Sequence, residues 1–314
     1  MQKIIRIINQ NRKKIIYIIF VIIFIFMIIQ TLNSIMKKEE EEKINNYQEN
    51  KTEIIKGNNV TLDELQEDKI EDLNSTINST MKKFVTYCNN KKITKAYEMI
   101  SDDCKEAFNF QSEETFKNNY VDIRFKEPQE YEMVKWSVDG NKTMYLIKFY
   151  GDLLATGGDK AEAQEYYTFI KENDGYKINI NNFVYSEEKN ISIQKNGILI
   201  VVGKAYIYTQ YQEVKINITN NSGNKICLLG TNRESRNIYL ENDSNTQYSM
   251  MYNSQGLTDG VLKNGELGRY TFKFNKAYSA NNKEKYLVFK NIILNYDDYV
   301  QNKSPNIISI KINY

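Results

Sequence analysis

The side chains that most often carry out chemistry in proteins are scarce in this chain. It has no histidine at all, which removes the usual general base near neutral pH and the commonest metal ligand. Ser-His, Cys-His and His-zinc constellations go with it. Three cysteines remain, Cys88, Cys104 and Cys227. None has CxxC spacing, and their odd number argues against a disulfide framework. Cys88 falls on the apolar side of a helical pattern and Cys227 in a strand-like run, so both read as small buried hydrophobes.

Three further stretches have the residue types for chemistry without the spacing. Gly151 to Asp159, with Gly157-Gly158, lacks the GxxxxGK pattern of a phosphate loop and reads as a turn. Glu241-Asn242-Asp243-Ser244-Asn245 offers oxygen ligands but lacks the Gly and distal Glu of a helical calcium loop, so it reads as a polar turn. An internal Lys–Asn amide would need a third, acidic residue that the sequence does not place. Triplets such as Asn78-Ser79-Thr80 are accidental in so Asn-rich a chain. The expectation is a protein that is not an enzyme, with no catalytic residue, metal or cofactor.

Charge narrows the partners. Residues 1–14 carry five basic side chains (Lys3, Arg6, Arg12, Lys13, Lys14) and no acidic one. Of 42 basic residues in all, 37 therefore remain beyond the head, against 40 acidic ones. So near-neutral a remainder lacks the concentrated basic face that nucleic acid requires.

These residues must be positioned by elements, and the first to read is an anchor. Ile15 to Ile29 is an unbroken apolar run, extended by Leu32, Ile35 and Met36. A helix crossing the hydrocarbon core needs about 20 residues, so 15–36 is expected to span a membrane. The basic head before it orients the amino terminus to the cytoplasm and the bulk outside. A cleaved signal peptide is the alternative, but no A-x-A-like site follows and no cysteine is placed for lipid attachment. Residues 37–60 form a polar stalk beginning with Lys37-Lys38 and Glu39 to Glu42.

Order returns with the capping pattern Thr61-Leu62-Asp63-Glu64. Ile70, Leu73, Ile77, Met81, Phe84 and Cys88 then follow on one helical face that ends near Asn89-Asn90. A second helix is predicted over Ile93 to Ile100 and a third from Ser112, carrying Phe116 and Tyr120. The period then changes. Val134 to Val138, Thr143 to Tyr150, Glu165 to Lys171 and Tyr176 to Val184 read as strands, the last two joined by a turn at Asn173-Asp174-Gly175. Helices followed by an antiparallel meander make an α+β domain, 61–186.

Phe84-Val85-Thr86-Tyr87-Cys88, Lys95 to Ile100, Tyr166 to Ile170 and Asp174-Gly175-Tyr176-Lys177-Ile178 together resemble the nuclear-transport-factor-2-like, or cystatin-like, cone. The resemblance covers about 110 residues and implies helices on a curved antiparallel sheet. Such cones serve as enzymes, ligand pockets or assembly modules. Enzymatic members commonly place an Asp, His or Tyr pair inside, whereas here Asp122 and Arg124 precede the first strand. Trp136, Phe149, Phe169 and Tyr176 are the candidate lining of a pocket for a small ligand, although aromatics at strand spacing also make plain core.

From residue 187 to 314 helical periodicity disappears. Val214 to Thr219, Tyr270 to Phe274 and Ile308 to Ile312 alternate strictly. Ile191 to Gln194, Ile198 to Val202, Lys225 to Leu229, Gln247 to Met251 and Tyr286 to Leu294 add further runs, as in an antiparallel β-sandwich. Val214 to Asn221, Gly265-Glu266 before Tyr270 to Phe274, and Tyr286 to Phe289 resemble immunoglobulin-like domains of anchored Gram-positive surface proteins. The expected fold is thus multidomain: transmembrane helix, α+β cone, all-β sandwich. The layout is similar to anchored cone domains of conjugation and type IV secretion machines, an analogy of fold and topology. The partners expected are the membrane, other envelope proteins and, alternatively, a small apolar ligand or peptide, with no nucleic acid.

Overall fold

The computed structural model describes residues 59–61, 76–151, 163–173, 175–231, 235–251 and 254–314. The expected span at 15–36, the stalk to residue 58, Leu62 to Glu64, Ile70, Leu73 and Gly157-Gly158 lie outside the described residues. Among the described residues no helix is long and apolar enough to cross a membrane.

The first helix, α1 (Ile77–Asn89), starts where Thr76 closes a capping box. Thr76 Oγ1 accepts from the Ser79 backbone N–H at 3.2 Å and Ser79 Oγ from the Thr76 N–H at 2.9 Å. The helix bearing Ile77 to Cys88 therefore begins at Thr76, not at the capping pattern expected from Thr61. Its buried stripe, Met81, Phe84, Val85 and Cys88, has the three-and-four spacing of one helical face. Next come α2 (Ile93–Met99), α3 (Asp102–Ala107) and α4 (Glu113–Phe116), which Ser112 caps as expected. A π-turn, Lys117–Val121, leads into the single turn α5 (Asp122–Arg124). Ser101, which accepts from the Cys104 N–H, caps α3, a helix too short and polar to show as a periodic face.

These helices cover one face of a five-stranded antiparallel sheet: β1 (Asn59–Val60), β2 (Glu130–Asp139), β3 (Lys142–Tyr150), β4 (Ala163–Glu172) and β5 (Gly175–Asn179), paired in that order. Glu172 pairs with Gly175, closing the expected hairpin. Tyr131, Met133, Ile147, Phe149, Tyr167, Phe169 and Ile178 on the covered face form one core with Phe84, Phe116, Tyr120 and Phe125 from the helical layer.

The expected strand Tyr176–Val184 is two strands. Asn181 and Asn182 both have positive φ, 53° and 64°, a conformation that asparagine tolerates better than most side chains. This kink ends β5 and starts β6 (Phe183–Lys195), which belongs to a different sheet. β6 runs unbroken through residue 186, where the sequence places a domain boundary.

That second sheet is β13-β8-β7-β6, built with β7 (Ile198–Tyr208), β8 (Gln212–Asn220) and β13 (Leu267–Phe274). Asn196 and Gly197, both at positive φ, form the two-residue turn between β6 and β7, the pairing that a tight hairpin demands. A Cβ on Gly197 would stand 2.6 Å from Ser222 Cα, so glycine is required there. The third sheet pairs β11-β10-β14-β9-β12, with β15 on β14. Its strands are β9 (Ile226–Cys227), β10 (Ile238–Asn242), β11 (Gln247–Ser249), β12 (Val261–Leu262), β14 (Glu284–Ile293) and β15 (Ile307–Asn313). Ile198, Ile200, Val214, Ile216 and Ile218 from one sheet share an aliphatic core with Leu240, Leu287, Ile310 and Ile312 from the other. The described residues are thus mostly β, in antiparallel sheets; most helices cover one face of the first, and a short one, Tyr296–Val300, lies between β14 and β15.

Candidate functional site

β4 carries the chemistry. Glu165, Tyr167 and Phe169 alternate onto the helix-covered face, and Glu165 is only 3% exposed. An isolated carboxylate in such a place would lose its proton with difficulty, and each of its oxygens is met. Oε1 accepts from Arg124 Nε at 2.8 Å and from the Tyr120 hydroxyl at 3.2 Å. Oε2 accepts from the Asn181 backbone N–H at 2.9 Å. The Tyr167 hydroxyl is in hydrogen-bond contact with that of Tyr120, completing a chain of polar groups inside an aromatic core.

Local sequence sets each partner. The π-turn swings Tyr120 inward, where it is 3% exposed. The turn of α5 then lays Arg124 over the sheet, its guanidinium carbon 5.5 Å from the Phe149 ring centre. Asn181 donates its backbone N–H because the left-handed kink turns it toward β4. Burial pushes the Glu165 carboxyl above its ordinary value, an effect opposed by Arg124. Burial, and secondarily the Glu165 charge, pushes both the Tyr120 and Tyr167 phenols well up. The phenols therefore stay protonated and donate. Glu165, with both oxygens bonded, holds the Arg124 guanidinium by its Nε.

Asp122, two residues before Arg124, is met by two amines. Lys117 and Lys91 both pair with Asp122, at 2.6 and 3.7 Å, and Lys91 also donates to the Phe125 carbonyl at 2.5 Å. The Lys117 amine beside Asp122 holds that carboxyl below its usual range.

The four candidate pocket residues are not brought together. Phe149 and Phe169 are fully buried on the helix-covered face. Phe149 packs 5.6 Å from Phe125, and Phe169 lies edge-on to Tyr145 at 5.7 Å. Tyr176 is half-buried at the edge of the same core. Trp136 sits where the β2–β3 register shifts, between Lys135 and Ser137. Trp136 is in phase with Val134, on the face opposite Tyr131 and Met133, and packs against the second core, 4.7 Å from Tyr166 and 6.0 Å from Tyr278. Glu165, Tyr120 and Tyr167 were not singled out in the sequence. The signal was there, since Glu165 is in phase with Tyr167 and Phe169.

The remaining candidates resolve as structure. All three cysteines are buried, and burial raises the Cys88 thiol and takes Cys104 to about 12. In the Glu241–Asn245 turn, Asn242 Oδ1 accepts from the Ser244 and Thr246 N–H groups. Glu241 pairs with Lys311 and Asp243 with Lys285, so the turn's charged oxygens are engaged by amines. Among the described residues no group of three or more His, Cys, Asp or Glu is arranged to hold a metal.

The helix-bearing sheet and the aliphatic core are locked together. Phe183 of β6 packs 6.2 Å from Phe108 and 5.4 Å from Tyr208 of β7. Glu106 of α3 accepts from Lys204 and Tyr206 of β7, each at 2.5 Å. At the other side Tyr278 donates to Asp139 at 2.8 Å.

No family model matches the chain, and neither does any curated protein. Among solved structures, the crystal structure of the conserved domain protein from Bacillus anthracis aligns with 11% identity and a TM-score of 0.24, over 58% of this chain and 86% of that one. A likeness that remote identifies neither fold nor function.

Proposed function

We propose that this is a single-pass membrane-anchored protein whose extracytoplasmic part serves as a protein-interaction or assembly module in an envelope or cell-surface system. In this reading residues 15–36 are the anchor, with the amino terminus cytoplasmic. The helix-covered sheet is a cone-like domain and the two-sheet body an immunoglobulin-like sandwich. Secretion or conjugation machinery is the kind of system that such a layout would suit.

One observation carries the reading: only the three residues 180–182, with the Asn181–Asn182 kink, separate β5 of the first sheet from β6 of the second. So short a connection, flanked by shared aromatic packing and ion pairs, is a stiff one, as suits display of a surface at a fixed distance from a membrane. Edge strands are natural docking places because their outward N–H and C=O groups lack partners in the sheet. β15 is such an edge, pairing only with β14. Its Lys311, a residue type that usually guards edges, folds back onto Glu241 and over the Tyr286 ring at 3.8 Å.

Crosslinking of the full-length protein in cells, followed by identification of partners, tests the proposal. Recovery of a defined set of envelope proteins is the expected result. A monomer without partners that purifies with a bound small molecule would overturn it in favour of a ligand carrier.

A further inference from the structure

We propose that Arg124 is an anion-binding residue whose outward guanidinium edge takes a carboxylate. The guanidinium is held on two sides: Nε by buried Glu165 at 2.8 Å, and its face by the Phe149 ring. Glu165 is itself fixed by Tyr120 and the Asn181 N–H. The Arg124 side chain nevertheless remains 27% exposed, and among the described residues its two terminal nitrogens have no hydrogen-bond partner. A guanidinium carries five N–H donors in a rigid fork, and only one is used here. The unused edge matches the two oxygens of a carboxylate, a pairing that a lysine ammonium cannot reproduce.

The surroundings favour a negative guest. Glu165 neutralises Arg124, and Asp122 faces both Lys91 and Lys117. The five charges leave one positive in surplus. This inference is independent of the assembly reading, because a free carboxylic acid and an acidic side chain of a partner protein present the same group.

The six arginines of the chain make selective labelling informative. Full-length protein with ¹⁵N-arginine is titrated with sodium acetate, with an uncharged-ended tripeptide containing one glutamate, and with inorganic phosphate, against sodium chloride at matched ionic strength. The Arg124 Nε–Hε signal is expected to move saturably with both carboxylates. Tighter binding of the tripeptide points to a protein partner, and equal or weaker binding to a free acid. By isothermal titration calorimetry, Arg124→Lys should weaken acetate binding relative to wild type by roughly tenfold, because the bidentate fork is lost. Lys91→Gln with Lys117→Gln, which leaves Glu165 and Arg124 untouched, should weaken it by roughly two- to fivefold. The assignment fails if the wild-type signal does not saturate, if phosphate binds as tightly as the carboxylates, or if both variants bind acetate like wild type.

Discussion

The two cores of this protein are built on opposite terms. The helix-covered core is aromatic, with Phe84, Phe116, Phe125, Phe149, Phe169 and Tyr167 almost wholly enclosed, and it contains an ion pair, Glu165 with Arg124. The core between the other two sheets is largely aliphatic, dominated by Ile and Leu. Its ionic contacts lie at the margins, as with Lys311 on Glu241 and Lys273 on Glu213. Aliphatic packing is non-directional and tolerant of small changes. A buried ion pair is directional and punishes the loss of either member. The aromatic core is therefore where a specific arrangement is maintained, and the aliphatic core is where stability is gathered.

The strongest test of that contrast is Glu165→Ala. It leaves Arg124 beside an apolar hole, and the expected loss is about 3 kcal/mol, read from denaturant unfolding of the full-length protein. The double change Arg124→Met with Glu165→Met should return most of that loss. A double variant no better than the single would mean that the site's shape, not its charge, is what matters.

Lys276 is the exception in the second region, 2% exposed, donating to the Ala277 carbonyl at 2.9 Å and 5.0 Å from the Tyr248 ring centre. Burial lowers its pKa, opposed by Glu284. The unfolded chain then binds the extra proton in the window just beneath the ordinary lysine value, so stability rises with pH there. Lys276→Met should raise neutral-pH stability by about 1–2 kcal/mol and flatten that alkaline rise. Urea midpoints at pH 7 and pH 10 would reveal it, and an unchanged slope would count against a strained amine.

Smaller effects sharpen the comparison. Thr76→Ala removes the cap of the helix that supplies Phe84, and should cost about 1 kcal/mol, measured as a lower Tm. Ile216→Val deletes one methylene from the aliphatic core for roughly 0.5–1.5 kcal/mol, with no dependence on pH. A pH-dependent loss from that change would blur the distinction between the cores.

Much of the strand pattern was legible because alternation reports burial directly. Val214 to Thr219 and Tyr270 to Phe274 lie within β8 and β13. β10 was missed because all five of its residues, Ile238 to Asn242, are buried, and a strand enclosed on both faces does not alternate. Tyr176–Val184 was read as one strand because two asparagines interrupt it without altering the apolar count. The candidate pocket failed because β2 carries apolar residues on both faces, so alternation does not say which core each face joins. Tyr131 and Met133 join the helix-covered core, and Trp136, out of phase with them, joins the other.

What the sequence alone determined is composition-level chemistry and local periodicity: no histidine-based mechanism, two of the three thiols on apolar runs, helices before strands, and alternating faces. Those properties depend on neighbours within a few residues. The pairing of Glu165 with Arg124, 41 positions apart, and the transfer of the chain from the first sheet to the second between β5 and β6 were decided only in three dimensions. A kink at two left-handed asparagines and one helical turn at Asp122–Arg124 set the directions that bring those groups together, and neither leaves a trace in hydrophobic pattern.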